Sequence, residues 1–95
     1  MSKKQAYEEK FKAQLDELNA KIDVLKAQAK QAGASVRADY YATMEDLLKK
    51  RSEAQSRLES LREAGDETWE DMKQGVEESW VTFAVAVKSA VARFQ

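Results

Sequence analysis

Large apolar residues recur every eleven positions along most of this chain. Eleven residues complete three turns of an α-helix at about 3.67 residues per turn, so residues with this spacing share one face of a nearly straight helix. A second, shorter ladder runs beside the first. The first ladder is Leu25, Val36, Leu47, Leu58, Trp69, Trp80 and Val91, and the second is Leu61, Met72, Phe83 and Phe94. The two ladders predict one very long amphipathic helix.

The first third of the chain has a different apolar period. From Phe11 to Val36, apolar residues alternate steps of four and three, which is the a/d seam of a heptad coiled coil. Beyond Val36, continuation of the heptad frame would place acidic residues in the seam. A step of four from Val36 to Tyr40 restores the apolar face. We therefore expect a heptad seam over 1–36 and an eleven-residue repeat over 36–95.

Length and composition favour an extended, self-associating helix. The 95 residues include no proline and only three glycines, and 35% of them are charged. A continuous helix of this length is roughly 135 Å long and is not stable as a monomer, because its apolar face needs a cover. We predict an all-α fold, with 1–95 as a single helical coiled-coil domain that forms a homo-oligomer. The predicted oligomer interface consists of the eleven residues of the two ladders.

Two glycines offer alternatives to the continuous helix. Gly65 is the predicted site of an αα-hairpin turn in one alternative, and Gly33 is the site of a turn in the other. Against both, the apolar phase crosses each position without slipping, and a glycine inside a helix costs only about 1 kcal/mol relative to alanine.

The net charge of −1 conceals an uneven distribution. Residues 63–78, which we call the acidic segment, contain seven acidic residues and one basic residue, Lys73. The acidic segment is either a solvated helix face or a device that orients an antiparallel neighbour through the basic region around Lys26 and Arg37. No basic stripe with interleaved aromatic residues is present, so nucleic acid is not an expected partner.

Segment 76–95 is strongly apolar. It is too short and too charged for a comfortable transmembrane span, which needs about 20 predominantly apolar residues. One interpretation is a helix buried on two sides in an oligomer. The other is a helix that docks on a membrane surface or an apolar protein client, with Trp80 and Phe94 as anchors and with Lys88 and Arg93 snorkelling.

Catalytic and cofactor chemistry finds little support in the residue types present. Histidine and cysteine are both absent, and nucleophilic triads and zinc sites generally need one or the other. Adjacent carboxylates on a helix diverge by about 100° and do not converge on one atom. We expect a non-enzymatic protein with no catalytic residues, cofactor, metal or small-molecule substrate. The chain begins without an apolar stretch of the signal-peptide type, so we expect a cytoplasmic location.

The run ADYYATMEDLLKKRSEAQSRLESLREAGDETWEDMKQGVEESW, residues 38–80, resembles small bacterial coiled-coil proteins often labelled as a stress-response family. The shared features are an ADYY-like start, a WEDMK-like motif and a GVEESW-like motif, and the opening of the chain is similar as well. The resemblance implies a cytosolic, all-helical protein linked to stress, with no agreed activity and no functional residues to transfer. The chain departs from the family after Trp80, where apolar residues replace a more charged C-terminus.

Two functions from different classes follow from these patterns. The first is a non-enzymatic, self-associating coiled-coil protein that acts as a stress-related scaffold. The second is an amphipathic helix that binds membrane surfaces or protects apolar clients through 76–95. The second draws on the likeness of eleven-residue amphipathic repeats to those of apolipoproteins and desiccation-protective proteins.

Overall fold

A computed structural model describes residues 2–94, which fold into three α-helices arranged up, down and up. Helix α1 spans Lys3–Gln31, α2 spans Ala34–Glu63 and α3 spans Lys73–Arg93, with a short 3-10 helix, Trp69–Met72, before α3. The bundle measures 52 × 20 × 18 Å. The all-α prediction is confirmed for the described residues, whereas the prediction of one nearly continuous helix is wrong.

Both glycine-containing segments are turns, so each hairpin alternative identified one of two breaks. The first break lies at Ala32 and Gly33, and the second begins at Ala64, next to Gly65. Ala32 (φ −82°, ψ 155°) and Ala64 (φ −71°, ψ 149°) are extended, which ends each helix. Gly33 is extended as well, so no left-handed conformation is needed there. These positions break the helix because packing of the three helices on one another adds to the cost of about 1 kcal/mol that a glycine carries inside a helix, a cost too small to end a helix by itself.

The start of α1 is fixed at both the local and the tertiary level. Ser2 and Gln5 form a capping box, with the Gln5 N–H donating to Ser2 Oγ and the Ser2 N–H donating to Gln5 Oε1, both at 3.2 Å. Lys4 Nζ donates to the carbonyl oxygens of Arg62 and Ala64 at 3.0 and 2.9 Å. Lys4 thereby satisfies carbonyls at the C-terminus of α2, where a cation is favoured.

At the opposite end of the bundle, α3 finishes beside the start of α2. The rings of Tyr40 and Phe94 stack with centroids 4.0 Å apart. The Tyr40 hydroxyl donates to Gln28 Oε1 at 3.4 Å, and Arg93 lies 3.9 Å from Asp39. All three helices are therefore joined at this end as well.

One apolar core runs between the three helices. In α1 the buried positions follow the heptad seam, and in α2 and α3 they include most of the eleven-residue ladders. The buried apolar residues are Phe11, Leu18, Ile22, Leu25, Ala29, Tyr40, Met44, Leu47, Ala54, Leu58, Leu61, Trp69, Val76, Trp80, Phe83, Val87 and Ala90. The apolar stripe that we expected a second copy to cover is covered by the chain itself.

Val36 departs from the predicted ladder. Its side chain is 46% exposed, and every residue from 33 to 39 is exposed. Val36 lies in the first turn of α2, directly after the chain has reversed direction, so the face that continues from Leu25 no longer points at a neighbouring helix.

The bundle and the continuous rod predict different effects for substitutions along the ladder. We expect Val36→Ser to change the free energy of unfolding by less than about 0.5 kcal/mol, because the side chain is already in water. We expect Leu47→Ala to lower it by about 2–5 kcal/mol, because Leu47 is fully buried. Urea denaturation followed by circular dichroism measures both. A large loss in Val36→Ser would contradict the bundle.

Candidate functional site

The structure brings ten of the eleven predicted interface residues together within one chain. Met72, Val91 and Phe94 are partly buried and pack against the core, and Val36 alone is exposed. The seven buried members are Leu25, Leu47, Leu58, Leu61, Trp69, Trp80 and Phe83. These residues form an intramolecular core in the monomer, and their role as an interface between copies stays a prediction.

Five aromatic residues form a continuous series of ring contacts that joins α1 to the 3-10 helix and α3. The Tyr7 ring lies 5.9 Å from that of Trp69 and 5.0 Å from that of Phe11. The Trp80 ring lies 5.3 Å from that of Phe11 and 6.0 Å from that of Phe83. These centroid distances are those of favourable tilted and edge-to-face pairs. We call this series the aromatic chain.

The sequence pattern predicts only part of the aromatic chain. Trp69, Trp80 and Phe83 lie on the predicted ladders and Phe11 lies on the heptad seam, but Tyr7 belongs to neither pattern. The available signal was the spacing of four between Tyr7 and Phe11, which places the two rings on one face of α1.

The core is least covered on the side where α1 faces α3. Helix α3 packs mainly on α2, and two open grooves of about 270 and 260 Å³ lie between α3 and α1. Phe11 and Trp80 line the first groove, and Leu18 and Ala84 line the second. Apolar side chains of the core, two of them from the aromatic chain, therefore lie directly beneath these grooves.

Polar contacts surround one end of the aromatic chain. The Tyr7 hydroxyl donates to Glu77 Oε1 at 3.0 Å, with the carbonyl oxygen of Lys73 at 3.3 Å. Burial, followed by the hydrogen bond to Glu77 and the charge of that carboxylate, raises the pKa of Tyr7 well above its usual value. Lys73 Nζ lies 4.6 Å from the ring centroid of Trp69 and 5.4 Å from that of Tyr7, within cation–π range.

Two polar atoms in the core are not satisfied. Oε1 of Glu8 and Nε1 of Trp80 are buried, and neither makes a hydrogen bond with the part of the chain that the structure describes. Glu8 is only 7% exposed and is the one charged residue buried within residues 2–94. A buried polar group without a partner destabilises a fold by about 1–3 kcal/mol, so both atoms weaken the closed bundle.

A polar groove of about 760 Å³ lies between α2 and α3. Arg57 reaches across it to α3, where a Cβ atom at Gly75 would lie only 3.1 Å from Arg57 Nη1. Arg57 also pairs with Glu53 at 3.5 Å. The groove is open and its charges are balanced, so it offers no concentrated field for a charged ligand.

Neither a metal cluster nor a membrane-spanning helix is found in the described chain. Within residues 2–94, no group of three or more acidic side chains is placed to hold a metal ion. No helix in the same range combines the length and the apolarity that a bilayer crossing requires.

No protein-family model matches the sequence, and comparisons with curated proteins and with solved structures found no match. The resemblance to small bacterial coiled-coil proteins therefore stays a prediction. The candidate functional site consists of the aromatic chain together with the two interhelical turns, which let the three helices fold over it.

The raised pKa of Tyr7 predicts a pH dependence of stability. Because the folded-state pKa exceeds the unfolded value, its contribution is complete below about pH 10 and is lost as the pH rises toward the folded-state pKa. Tyr7→Phe removes this contribution. Above about pH 10, we therefore expect the free energy of unfolding to fall more steeply in the wild-type protein than in Tyr7→Phe. Urea titrations below and above that pH test this, and a constant difference would contradict it.

Glu8 and Glu9 form a matched pair for a test of the unsatisfied carboxylate. We expect Glu8→Leu to raise the free energy of unfolding by about 1–3 kcal/mol, because it replaces a buried carboxylate, one oxygen of which has no hydrogen-bond partner, with an apolar side chain. Glu9 is exposed, so Glu9→Leu is expected to change it by less than about 0.5 kcal/mol. Thermal and urea unfolding measure both, and a destabilised Glu8→Leu would show that the carboxylate is compensated.

Proposed function

We propose that this protein is a non-enzymatic helical bundle that opens at its turns and lays its amphipathic helices on an anionic lipid surface. One observation carries the proposal: residues buried on all three helices belong to the same eleven-residue ladder. Leu25 of α1, Leu47 and Leu58 of α2, and Trp69 and Trp80 are all buried and are separated by multiples of eleven. If the turns became helical, these side chains would lie along one face.

The turns themselves offer little resistance to this change. Around both Gly33 and Gly65 the space within 4 Å of an added Cβ is empty. Residues 65–68 are exposed and are closed by hydrogen bonds from the N–H groups of Thr68 and Trp69 to the Gly65 carbonyl, each at 3.1 Å. Conversion of these segments to helix adds helical hydrogen bonds, and its cost is the packing of Ala32 and Ala64 on the core together with the hydrogen bond from Lys4 to the Ala64 carbonyl.

The bundle opens only where something other than the three helices covers the apolar core. In water, exposure of each large apolar side chain costs about 1.5–3 kcal/mol, so the closed bundle is favoured. A lipid interface covers the same side chains, because an amphipathic helix buries its apolar face at the boundary between headgroups and acyl chains. Opening also releases the buried atoms of Glu8 and Trp80. The surface therefore supplies the cover that the three helices otherwise supply to one another.

Charge favours an anionic surface and a defined point of first contact. After Glu78, the charged residues of α3 are Lys88 and Arg93. Lys30 in the last turn of α1 lies at the same end of the bundle. Basic residues near an anionic surface contribute about 1 kcal/mol each, whereas acidic residues are repelled. We infer that this basic end of the bundle meets the surface first and that the acidic side chains of the acidic segment, 63–78, stay toward water, while Trp69 of the same segment faces the lipid.

Self-association is a second candidate function, and a separate observation favours it. Val81 and Val85 of α3 are 61% and 56% exposed, although neither belongs to the ladders. Copies that associate through this outer face would form a scaffold of closed bundles rather than a rod. A link to stress rests on the family resemblance alone.

Locking α2 to α3 tests whether lipid binding needs opening. A Cβ at Gly75 would lie 3.8 Å from Arg57 Cδ, and the chain has no cysteine of its own. Arg57→Cys/Gly75→Cys can therefore be joined by a short, reducible thiol cross-linker. We expect the wild-type protein and the reduced variant to float with anionic phosphatidylserine vesicles in a density gradient. We expect the cross-linked variant to float at least severalfold less, and reduction to restore flotation.

Further outcomes distinguish opening of the bundle, lipid binding and binding of an apolar protein client. Equal flotation of the cross-linked and reduced forms would contradict opening. Absence of wild-type flotation would overturn the lipid proposal, and suppression of client-protein aggregation in that case would favour an apolar protein client instead. Vesicles of neutral phosphatidylcholine are expected to carry less protein than anionic ones, because the basic end then gains no electrostatic attraction.

A further inference from the structure

Helix α3 presents a second regular stripe on its exposed side, where Val81 and Lys88 also border the two open grooves toward α1. Its members are separated by alternating steps of four and three residues, which keeps them on one narrow face. All six are exposed, and its central valines are the two most exposed large apolar side chains of the described chain. The stripe, which we call the outer seam, consists of Gln74, Glu78, Val81, Val85, Lys88 and Ala92.

The outer seam is complementary to the outer seam of a second copy that runs in the opposite direction. Its midpoint lies at the level of residue 83, so an antiparallel copy centred there places Val81 opposite Val85. The same register places Glu78 opposite Lys88. Each of these contacts occurs twice, because a two-fold axis makes the contact of residue i with j also that of j with i. A parallel copy would instead place Glu78 against Glu78 and Lys88 against Lys88.

We propose that the outer seam binds a second copy of this chain as an antiparallel, two-fold symmetric dimer of closed bundles. The valines form the apolar centre of the contact, and the two pairs of Glu78 with Lys88 lie at its ends. Neither Glu78 nor Lys88 has an ion pair within residues 2–94 of its own chain. Glu78 Oε1 accepts a hydrogen bond from Gln74 Nε2 at 3.1 Å, and this neutral partner leaves the charge of the carboxylate free to pair with Lys88 of a second copy.

The charge distribution of the whole bundle supports the same orientation. The acidic segment, 63–78, lies at the end where α3 begins, and Lys30, Lys88 and Arg93 lie toward the end where α3 finishes. Antiparallel bundles set the acidic end of each copy beside the basic end of the other. This arrangement favours a second copy and fixes its direction, because complementary potentials select orientation.

The proposed contact is small. One helix face with two valines per copy covers less surface than the roughly 1,200 Å² at the lower end of stable, specific interfaces. We therefore expect a dimer with a dissociation constant in the micromolar range or weaker. The proposal rests on self-association, the second candidate function, and does not require lipid binding, since it uses the outer seam and leaves the core of each bundle closed.

Charge exchange on the outer seam tests the pairing. In Glu78→Lys and in Lys88→Glu, each dimer would contain two like-charged pairs, so we expect the dissociation constant to rise about tenfold at low salt. The double variant Glu78→Lys/Lys88→Glu restores both pairs and is expected to dimerise as the wild type does. An equimolar mixture of the two single variants is expected to form the heterodimer in preference to either homodimer. Sedimentation equilibrium measures each case.

Matched variants separate this dimer from other association. Val81→Ser/Val85→Ser is expected to be monomeric and fully folded, because both side chains are exposed in the monomer. Glu45→Lys makes the same change of charge on an exposed position of α2 and is expected to leave dimerisation within about twofold of the wild type. A wild-type protein that is monomeric at every concentration would overturn the proposal. So would a dimer that persists in the serine variant, or a folded double charge variant that stays monomeric.

Discussion

The structure depends on one requirement, which is that a continuous apolar stripe be covered. The stripe runs through α1, α2 and α3, and a helix that left it in water would lose about 1.5–3 kcal/mol for each large side chain. Folding back on itself lets the chain meet this requirement without bringing molecules together, which avoids the loss of translational and rotational freedom that association entails. The helical hydrogen bonds lost at the two breaks destabilise the fold less than exposure of the apolar stripe to water would.

Once the chain folds back, the ends of the bundle become the places where polar groups must be satisfied. Lys4 donates to the carbonyl oxygens of Arg62 and Ala64 at one end, and the Tyr40 hydroxyl donates to Gln28 at the other. The core is less complete, because Glu8 and Trp80 each keep a buried polar atom without a partner. A small domain has little stability to spare, so these defects bring the open state closer in free energy.

The two proposed interactions use opposite faces of α3. The inner face, with Trp80 and Phe83, covers the core in water and a lipid surface after opening. The outer seam, centred on Val81 and Val85, is exposed in the closed bundle and complementary to a second copy. The apolar side chains of the two faces differ, but Lys88 takes part in both interactions, because it belongs to the basic end that would meet the lipid surface and to the pair with Glu78 of a second copy. The dimer would form between closed bundles, whereas lipid binding would separate their helices.

The amino-acid pattern alone determined that the chain is helical and which apolar side chains share one face of the helix. Leu25, Leu47, Leu58, Trp69 and Trp80 were selected by their spacing, and all five are buried. This worked because the helical period is a local property that any cover for the stripe must respect. The aromatic partners of Trp69 and Trp80 were not predictable in the same way, because Tyr7 and Phe11 are distant in sequence.

Tertiary structure decided what covers the stripe. A phase that passes unbroken through Gly33 and Gly65 is compatible with a rod and with a folded bundle, because the same residues face inward in both. The difference lies in the competition between neighbours within the chain and neighbours in other molecules, which no local period encodes. The exposure of Val36 at the first turn shows the result: its spacing fits the ladder, but the reversal of the chain leaves nothing beside it.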